Sequence, residues 1–206
     1  MRTNIHIMGV CGSLEDDSKT LKLLRPALQG ASRAGAGVSV FNLRDYQIPL
    51  FNSPHTHPKS AAHVENMRQR FKRADGLILA TPEYHGSFTG ALKNAMDWMG
   101  FDEFEGKMVG LVGIAGGSLG AINALNHLRG VCRQVHAWVV PSQVSVAHSH
   151  EAFDKSGNLK DPELSKRLRQ LGAEVAGFAL LHNHKKWKDF VNLWEKSIQN
   201  PGGSNR

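Results

Sequence analysis

The 206-residue sequence has little of several features that would indicate particular classes of protein. It contains only two cysteines, Cys11 and Cys132, which form no recognisable disulfide or zinc framework, so both are expected to be free thiols in a reducing compartment. No apolar run is long enough to cross a membrane, and the N-terminal stretch MRTNIHIMGV is too short and too interrupted for a signal peptide. We therefore expect a cytoplasmic protein with no membrane partner.

The sequence also lacks a concentrated block of basic residues, although its formal net charge is +7. Lysine and arginine are spread through the segments NMRQRFKR, LSKRLRQL and HKKWKD, and no zinc-finger or RNA-binding motif accompanies them. We interpret the excess as solvated helix faces that also help to attract anionic cofactors. A nucleic-acid partner is not expected.

Apolar and amphipathic segments alternate regularly, a pattern typical of βα units around a parallel sheet. The predicted strands are NIHIMGV, VSVFNL, GLILATP, KMVGLVGIAG and HAWVVP, each followed by a predicted helix. For this length the pattern favours an α/β fold of three α/β/α layers: a doubly wound, flavodoxin-like, five-stranded parallel sheet of order 2-1-3-4-5. Residues 1–184 are assigned to this domain, and residues 185–206 to a C-terminal helical extension with a disordered tail.

In that order, strands 1, 3 and 4 are neighbours, and ligands bind just beyond their carboxyl ends. The loops that follow these three strands are the unusual ones: CGSLEDDS (loop one), TPEYHGS (loop two) and AGGSLG (loop three). All three carry glycine or serine. They are therefore predicted to converge on one ligand-binding crevice.

Loop one matches neither common nucleotide motif, because it lacks the G-x-G-x-x-G spacing and has Asp17 and Ser18 where a P-loop has Gly and Lys. Hydroxyl groups and free amides at the positive end of a helix nevertheless predict a phosphate site. The alternative is that Ser18 is only a helix N-cap and that the loop's carboxylates are only favourable charges near a helix start. The candidate phosphate-binding residues are Ser13, Ser18, Lys19 and Thr20.

Loop two carries a family resemblance. TPEYHGS followed by LKNAMDW resembles the T-P-E-Y-N-G-S and L-K-N-A-x-D-W motifs of the NADPH-dependent FMN reductase family, with His85 in place of the commonest Asn. GSLEDDS resembles that family's G-S-x-R-x-x-S phosphate loop with Glu15 in place of Arg, AGGSLGA its glycine-rich third loop, and FDKSGNLKD its late turn. The resemblance covers nearly the whole chain and implies a flavodoxin-like reductase of flavins, quinones, azo compounds or chromate.

The resemblance implies that the crevice binds FMN. Loop two would line the flavin ring with main-chain amides, Pro82 would stiffen its turn, and the Glu83 side chain would matter little, since hydride transfer needs no side-chain acid. Loop three would close the pyrimidine edge of the ring. No side chain is expected to be catalytic, because the chemistry is on the flavin. Beyond loop one and Glu15, the implied cofactor-binding residues are Pro82, Glu83, Tyr84, His85, Gly86, Ser87, Gly116, Gly117 and Ser118.

By this resemblance the protein is an FMN-dependent NAD(P)H oxidoreductase. Electrons would pass from NADPH or NADH through FMN to a quinone, free flavin or similar small electrophilic acceptor, and the subunits would form a homodimer or a dimer of dimers. Glu15 motivates an alternative, because a carboxylate there would repel a phosphate: a flavodoxin-like redox-sensing or interaction module with weak or absent flavin binding. An electron carrier is a third possibility, but the basic charge conflicts with it.

Three H-x-H pairs raise a metal hypothesis. They lie at His55 and His57, His148 and His150, and His182 and His184, in three separate segments with no accompanying carboxylate or cysteine cluster. A metal site is therefore not expected.

Overall fold

A computed structural model of the chain describes residues 5–52 and 58–183. The strands are β1 His6–Cys11, β2 Gly37–Asn42, β3 Gly76–Tyr84, β4 Ser87–Phe88, β5 Met108–Ile114 and β6 Trp138–Val146. The helices are α1 Lys19–Arg33, α2 Pro58–Arg73, α3 Gly90–Asp97, α4 Phe101–Phe104, α5 Ile122–Gln134 and α6 Pro162–His182, and a 3-10 turn covers Leu43–Asp45.

The five long strands form one parallel sheet in the order β2-β1-β3-β5-β6. The two-residue β4 lies off this path and pairs antiparallel with the end of β3. Because β4 is additional, the five long strands in chain order have the predicted order 2-1-3-4-5. The doubly wound, flavodoxin-like architecture is confirmed.

Helices cover both faces of the sheet, because each buried strand sends alternate side chains to opposite sides. On one face, Ile78 of β3 packs in a cluster with α1 and α6. On the other face, the neighbouring Leu77 and Leu79 pack in a cluster with α2, α3, α4 and α5. The apolar run GLILA, buried throughout, therefore supplies both cores.

Helices α1 and α6 touch through their backbones at two glycines. A β-carbon placed on Gly172 would lie 1.8 Å from the carbonyl oxygen of Ala27, and one placed on Gly30 would lie 1.9 Å from that of Arg169. Non-bonded carbon and oxygen atoms do not approach so closely, so only glycine fits at either position. The contact fixes α1, which begins at loop one, against the last helix of the described chain.

The last strand is longer than predicted. The sequence indicated a strand that ends at Pro141 and an irregular stretch after it, whereas β6 extends to Val146. Pairing with β5 shifts register between Val139 and Gln143, around a proline that has no N–H to donate to a neighbouring strand. The proline marks a bulge, and the strand resumes beyond it.

The predicted C-terminal extension, residues 185–206, lies outside the described residues, as do His55, His57 and His184. Within the described ranges, no helix combines the length and apolar character that a membrane span requires.

Candidate functional site

Loops one, two and three lie at the same edge of the sheet, because β1, β3 and β5 are adjacent and parallel. Loop one is bonded directly to the end of β3 and the start of α3. The Gly12 amide donates to the Ala80 carbonyl (2.8 Å), and the Thr89 hydroxyl donates to the Gly12 carbonyl (2.7 Å). A β-carbon on Gly12 would lie 3.0 Å from the Ala80 oxygen and 3.1 Å from the β-carbon of Leu92. The glycine therefore permits this close approach.

The hydroxyl residues of loop one and of the first turn of α1 are buried: Ser13, Ser18 and Thr20 are only 2%, 4% and 2% exposed. Ser18 is the N-cap of α1 and accepts a hydrogen bond from the Leu21 amide at 3.2 Å. Its role as a helix cap is therefore confirmed. The Ser13 hydroxyl accepts from the Glu15 amide at 3.2 Å. Lys19, the first helical residue, is half-buried. A phosphate-binding role for these residues stays a prediction.

The carboxylates of Asp16 and Asp17 point to solvent, and each pairs with a cation. The Asp16 side chain is 89% exposed and forms an ion pair with Arg44, whose Nη1 also donates to the Leu14 carbonyl. The Asp17 side chain is 85% exposed and contacts Lys22 at 2.6 Å, and this hydrogen bond lowers the pKa of Asp17. Neither carboxylate therefore occupies the buried side of loop one.

Glu15 bonds to loop two. The Tyr84 hydroxyl donates to Glu15 Oε1 at 3.2 Å, which connects the two loops across the crevice. Partial burial, followed by the Glu15 charge, raises the pKa of Tyr84, so the phenol stays protonated and able to donate. Because the phenol carries no charge, this bond orients the Glu15 carboxylate without neutralising it.

Loop two is a tight hairpin. His85 and Gly86 have φ values of 53° and 77° and connect β3 to β4. Two positive φ values are typical of a type I′ turn, in which Asn-Gly is favoured, so His85 holds a backbone conformation that Asn adopts more easily. The expectation that Pro82 stiffens the turn is wrong. Pro82 lies inside β3 and pairs with Ile114 of β5.

The Glu83 side chain has a structural role that the sequence did not indicate. Its Oε2 accepts a hydrogen bond from the Ala124 amide, in the first turn of α5, at 2.9 Å. A carboxylate there satisfies an otherwise free amide and interacts favourably with the helix dipole. A second bond joins the same elements, between Ser87 Oγ and His127 Nδ1 at 3.1 Å. Loop two is therefore attached to the helix that follows loop three.

Loop three is the most open of the loops. Gly116, Gly117 and Ser118 are exposed, and a β-carbon on Gly117 would meet no atom within 4 Å. The segment after β6 supports it, because the His148 amide donates to the Gly117 carbonyl (3.3 Å). The His150 ring lies beside Gly116, 3.5 Å from where a β-carbon would be. One H-x-H pair thus belongs to this site, which the spacing alone did not predict.

In the part of the chain that the structure describes, the three loops hold neither a group of metal ligands nor a reactive thiol. Across residues 5–52 and 58–183, no three His, Cys, Asp or Glu side chains are grouped as metal ligands. Cys11 is buried with its sulfur 3.6 Å from the Ser18 hydroxyl, and burial raises the pKa of its thiol. A thiol in this state is a poor nucleophile.

Two site residues were missed by the sequence reasoning. Thr89 caps α3 by accepting from the Leu92 amide (3.1 Å) while donating to loop one, and a threonine before a helical run is a recognisable cap signal. Arg44 reaches loop one from the turn after β2, and no local pattern marks it.

This arrangement suits a ligand with an anionic end and a flat end. Buried hydroxyls at the start of the 15-residue α1 favour a phosphate, since the helix dipole is positive there. The exposed glycines of loop three admit a planar ring close to the backbone. The residues present therefore fit the phosphate and ring of FMN.

Comparison with known proteins agrees with this chemistry. Residues 5–151 match the family described as NADPH-dependent FMN reductase. The chain is 32% identical over 174 residues to an FMN-dependent NADPH-azoreductase from Staphylococcus aureus, with 82% of this chain and 92% of the relative covered.

Solved structures show the same fold at lower identity. One is the flavoenzyme NAD(P)H:(acceptor) oxidoreductase FerB from Paracoccus denitrificans, with a TM-score of 0.63, 23% identity and coverage of 87% of this chain and 98% of that chain. Another is a flavodoxin from the domain Archaea, with a TM-score of 0.59, 12% identity and coverage of 86% and 99%.

Proposed function

The chain belongs to the NADPH-dependent FMN reductase family, and from that premise we propose how its three loops hold FMN and which acceptors it serves. It is an oxidoreductase that depends on FMN and takes electrons from NAD(P)H. The assignment of the site is supported by the meeting of three neighbouring loops at one edge of the sheet. In loop one, the hydroxyl residues are buried while the carboxylates of Asp16 and Asp17 lie in solvent.

Loop one holds the phosphate of FMN in this proposal. Ser13, Ser18 and Thr20 supply buried hydroxyls, and the amides at the start of α1 supply donors at the positive end of the helix dipole. Lys19 adds a nearby positive charge. Because the loop lacks the family's Arg and has Glu15 there, FMN binds less tightly than it would with a direct guanidinium contact.

Loops two and three hold the flavin ring. The backbone at Pro82, Glu83, His85, Gly86 and Ser87 forms one wall, kept in place by the Glu83 contact to α5. Tyr84, which is 49% exposed, offers an apolar ring at the crevice. Three residues of loop three complete the site: Gly116, Gly117 and Ser118.

When bound, FMN supplies the redox chemistry by accepting a hydride from the nicotinamide and returning electrons to an acceptor. The protein's task is to bind and orient both partners. No side-chain acid is required at the reacting ring, and the carboxylate of Glu83 is already engaged with α5. If the donor and the acceptor bind in turn at the same place beside loops two and three, the kinetics should be ping-pong.

The acceptor we propose is a flat electrophile: a quinone, free flavin or an azo compound. The azoreductase activity named for the Staphylococcus aureus relative supports the last of these. NADPH is the expected donor, with NADH as the alternative. The test is to add FMN to the purified protein and follow NADPH consumption with a quinone and with an azo dye. Background turnover with every acceptor would overturn the assignment.

The phosphate site has its own test. Replacing Ser18 with Ala should weaken FMN about tenfold or more, since hydrogen bonds to charged groups contribute about 1.5–3 kcal/mol, and should affect riboflavin much less. Asp161→Ala is a matched control, because it also removes an N-cap, that of α6. Equal loss of FMN and riboflavin in Ser18→Ala would mean that the hydroxyl only caps α1.

We further propose a homodimer, or a dimer of dimers, with the flavin crevice near the subunit contact. Leu119 of loop three and Ile122 at the start of α5 are 78% and 43% exposed, and such apolar residues favour association. Light scattering should give twice or four times the 22.6 kDa chain mass, and Leu119→Glu should reduce it. A monomer at micromolar concentration would contradict this.

The domain limits and the compartment also stay proposals. We propose that residues 1–184 form the catalytic domain, with residues 185–206 as an extension, and that the enzyme acts in the cytoplasm. Two buried free cysteines suit a reducing compartment. Removal of residues 185–206 should leave FMN binding intact.

A further inference from the structure

A basic groove lies between α1, α6 and the turn at residues 154–158. It encloses a cavity of about 160 Å³. Its polar lining consists of Lys22, Arg25, Gln29, Asn158, Ser165 and Arg169. None of the residues of loops one, two or three lines it. The groove is thus a different place from the flavin crevice, although both adjoin α1.

The groove concentrates positive charge. Three of its lining residues are cationic, and no described residue that lines it is acidic. Lys22 is partly neutralised by Asp17 at the end of loop one. Arg25 and Arg169, in contrast, form no ion pair with any described residue. Like charges brought together in a cleft raise the local concentration of anions, so this arrangement favours an anionic ligand.

The walls of the groove are fixed. The backbone of Arg169 packs closely against Gly30 of α1. A β-carbon placed on Gly30 would lie 1.9 Å from the carbonyl oxygen of Arg169. The turn is held by Asp154, whose Oδ1 accepts from the amides of Ser156 (2.9 Å) and Asn158 (2.8 Å). The cations therefore extend from rigid elements, which lowers the cost of ordering them around a ligand.

We propose that the basic groove binds the phosphate group of a small molecule, next to the FMN site but separate from it. A guanidinium presents paired donors that match phosphate oxygens, and two guanidinium groups with no carboxylate partner are available here. This chemistry has two sources: a free phosphorylated metabolite, or the 2′-phosphate of NADPH. Only the second source rests on the proposed function.

The test uses inorganic pyrophosphate as the probe and protein saturated with FMN, so that loop one is occupied. Calorimetry at low salt should detect pyrophosphate binding to the wild type. Arg25→Gln and Arg169→Gln should each weaken it about tenfold, the loss expected for one charged hydrogen bond. Arg33→Gln is the matched control, because Arg33 is an exposed residue of α1 outside the groove. It should bind like the wild type.

Kinetics in the same samples distinguish the sources. A higher KM for NADPH but not for NADH in Arg169→Gln would identify the 2′-phosphate, and unchanged KM values with lost pyrophosphate binding would identify a free phosphorylated ligand. Absence of pyrophosphate binding, or equal binding by all three variants, would overturn the proposal. FMN affinity, measured in parallel, shows separately whether the proposed function holds.

Discussion

Replacing Gly172 with alanine tests the contact between α1 and α6. The new β-carbon would lie 1.8 Å from the Ala27 carbonyl oxygen, where ordinary contacts are 3.4 Å or more, so the helices must move apart. Overpacking of this kind costs about 1–3 kcal/mol, and the backbone on both sides leaves no flexible side chain to move instead. The preference of alanine for a helix offsets about 1 kcal/mol of this cost, so we expect a net loss of about 0–2 kcal/mol in the free energy of unfolding.

Gly177 in the same helix supplies the control, because a β-carbon there meets no atom within 4 Å. Gly177→Ala should gain up to about 1 kcal/mol, since alanine favours a helix over glycine by about that amount. Because that gain is common to both variants, their free energies of unfolding should differ by the overpacking cost, about 1–3 kcal/mol.

Urea unfolding followed by circular dichroism measures this difference. The midpoint should fall for Gly172→Ala and rise for Gly177→Ala, with similar slopes. Melting temperatures should separate by about 2–12 °C for a chain of this size. If Gly172→Ala were as stable as Gly177→Ala, the close helix contact would be wrong.

Two further changes test contacts of the crevice, and a third tests a buried thiol near the end of α5. Thr89→Val should cost about 2–3 kcal/mol in urea unfolding, because it removes both the α3 cap and the bond to the Gly12 carbonyl, whereas Thr89→Ser keeps both; equal losses would contradict this. Tyr84→Phe should speed FMN release about two- to tenfold, and Glu15→Ala added to it should have little further effect; additive effects would mean that the pair does not act together. Burial raises the pKa of Cys132 from 9.0 to about 12. The contribution of this thiol to the free energy of unfolding is therefore fully present below pH 9 and is lost as the pH rises towards 12. Between pH 9 and 11, the free energy of unfolding should therefore fall less for Cys132→Ala than for the wild type, and equal falls would contradict the raised pKa.

Much of the fold could be predicted because its signals are local. Fully apolar strands such as GLILA alternate with amphipathic helices, and Ser18 and Asp161 begin helices as their position indicates. The β4 hairpin was missed because His85 replaces the asparagine of an Asn-Gly signal. The end of β6 was missed because Pro141 was taken as the end of the strand.

The charges of loop one show what local patterns cannot supply. From the sequence, the three acids after Ser13 are expected to repel a phosphate. In the structure each has a partner, and in chain order these are Tyr84, Arg44 and Lys22. Two of these come from other elements, and only the assembled sheet brings them near the loop. The same holds for Glu83, whose amide partner at Ala124 lies 41 positions away.

The glycine contact between α1 and α6 also bears on how the chain folds during synthesis. The first helix of the described chain packs against the last one. The contacting residues are therefore far apart in the sequence. On the ribosome, the part of α1 that packs on α6 remains uncovered until α6 has emerged. The α1–α6 contact can therefore form only after α6 has been synthesised, and chaperones have that interval in which to protect the nascent chain.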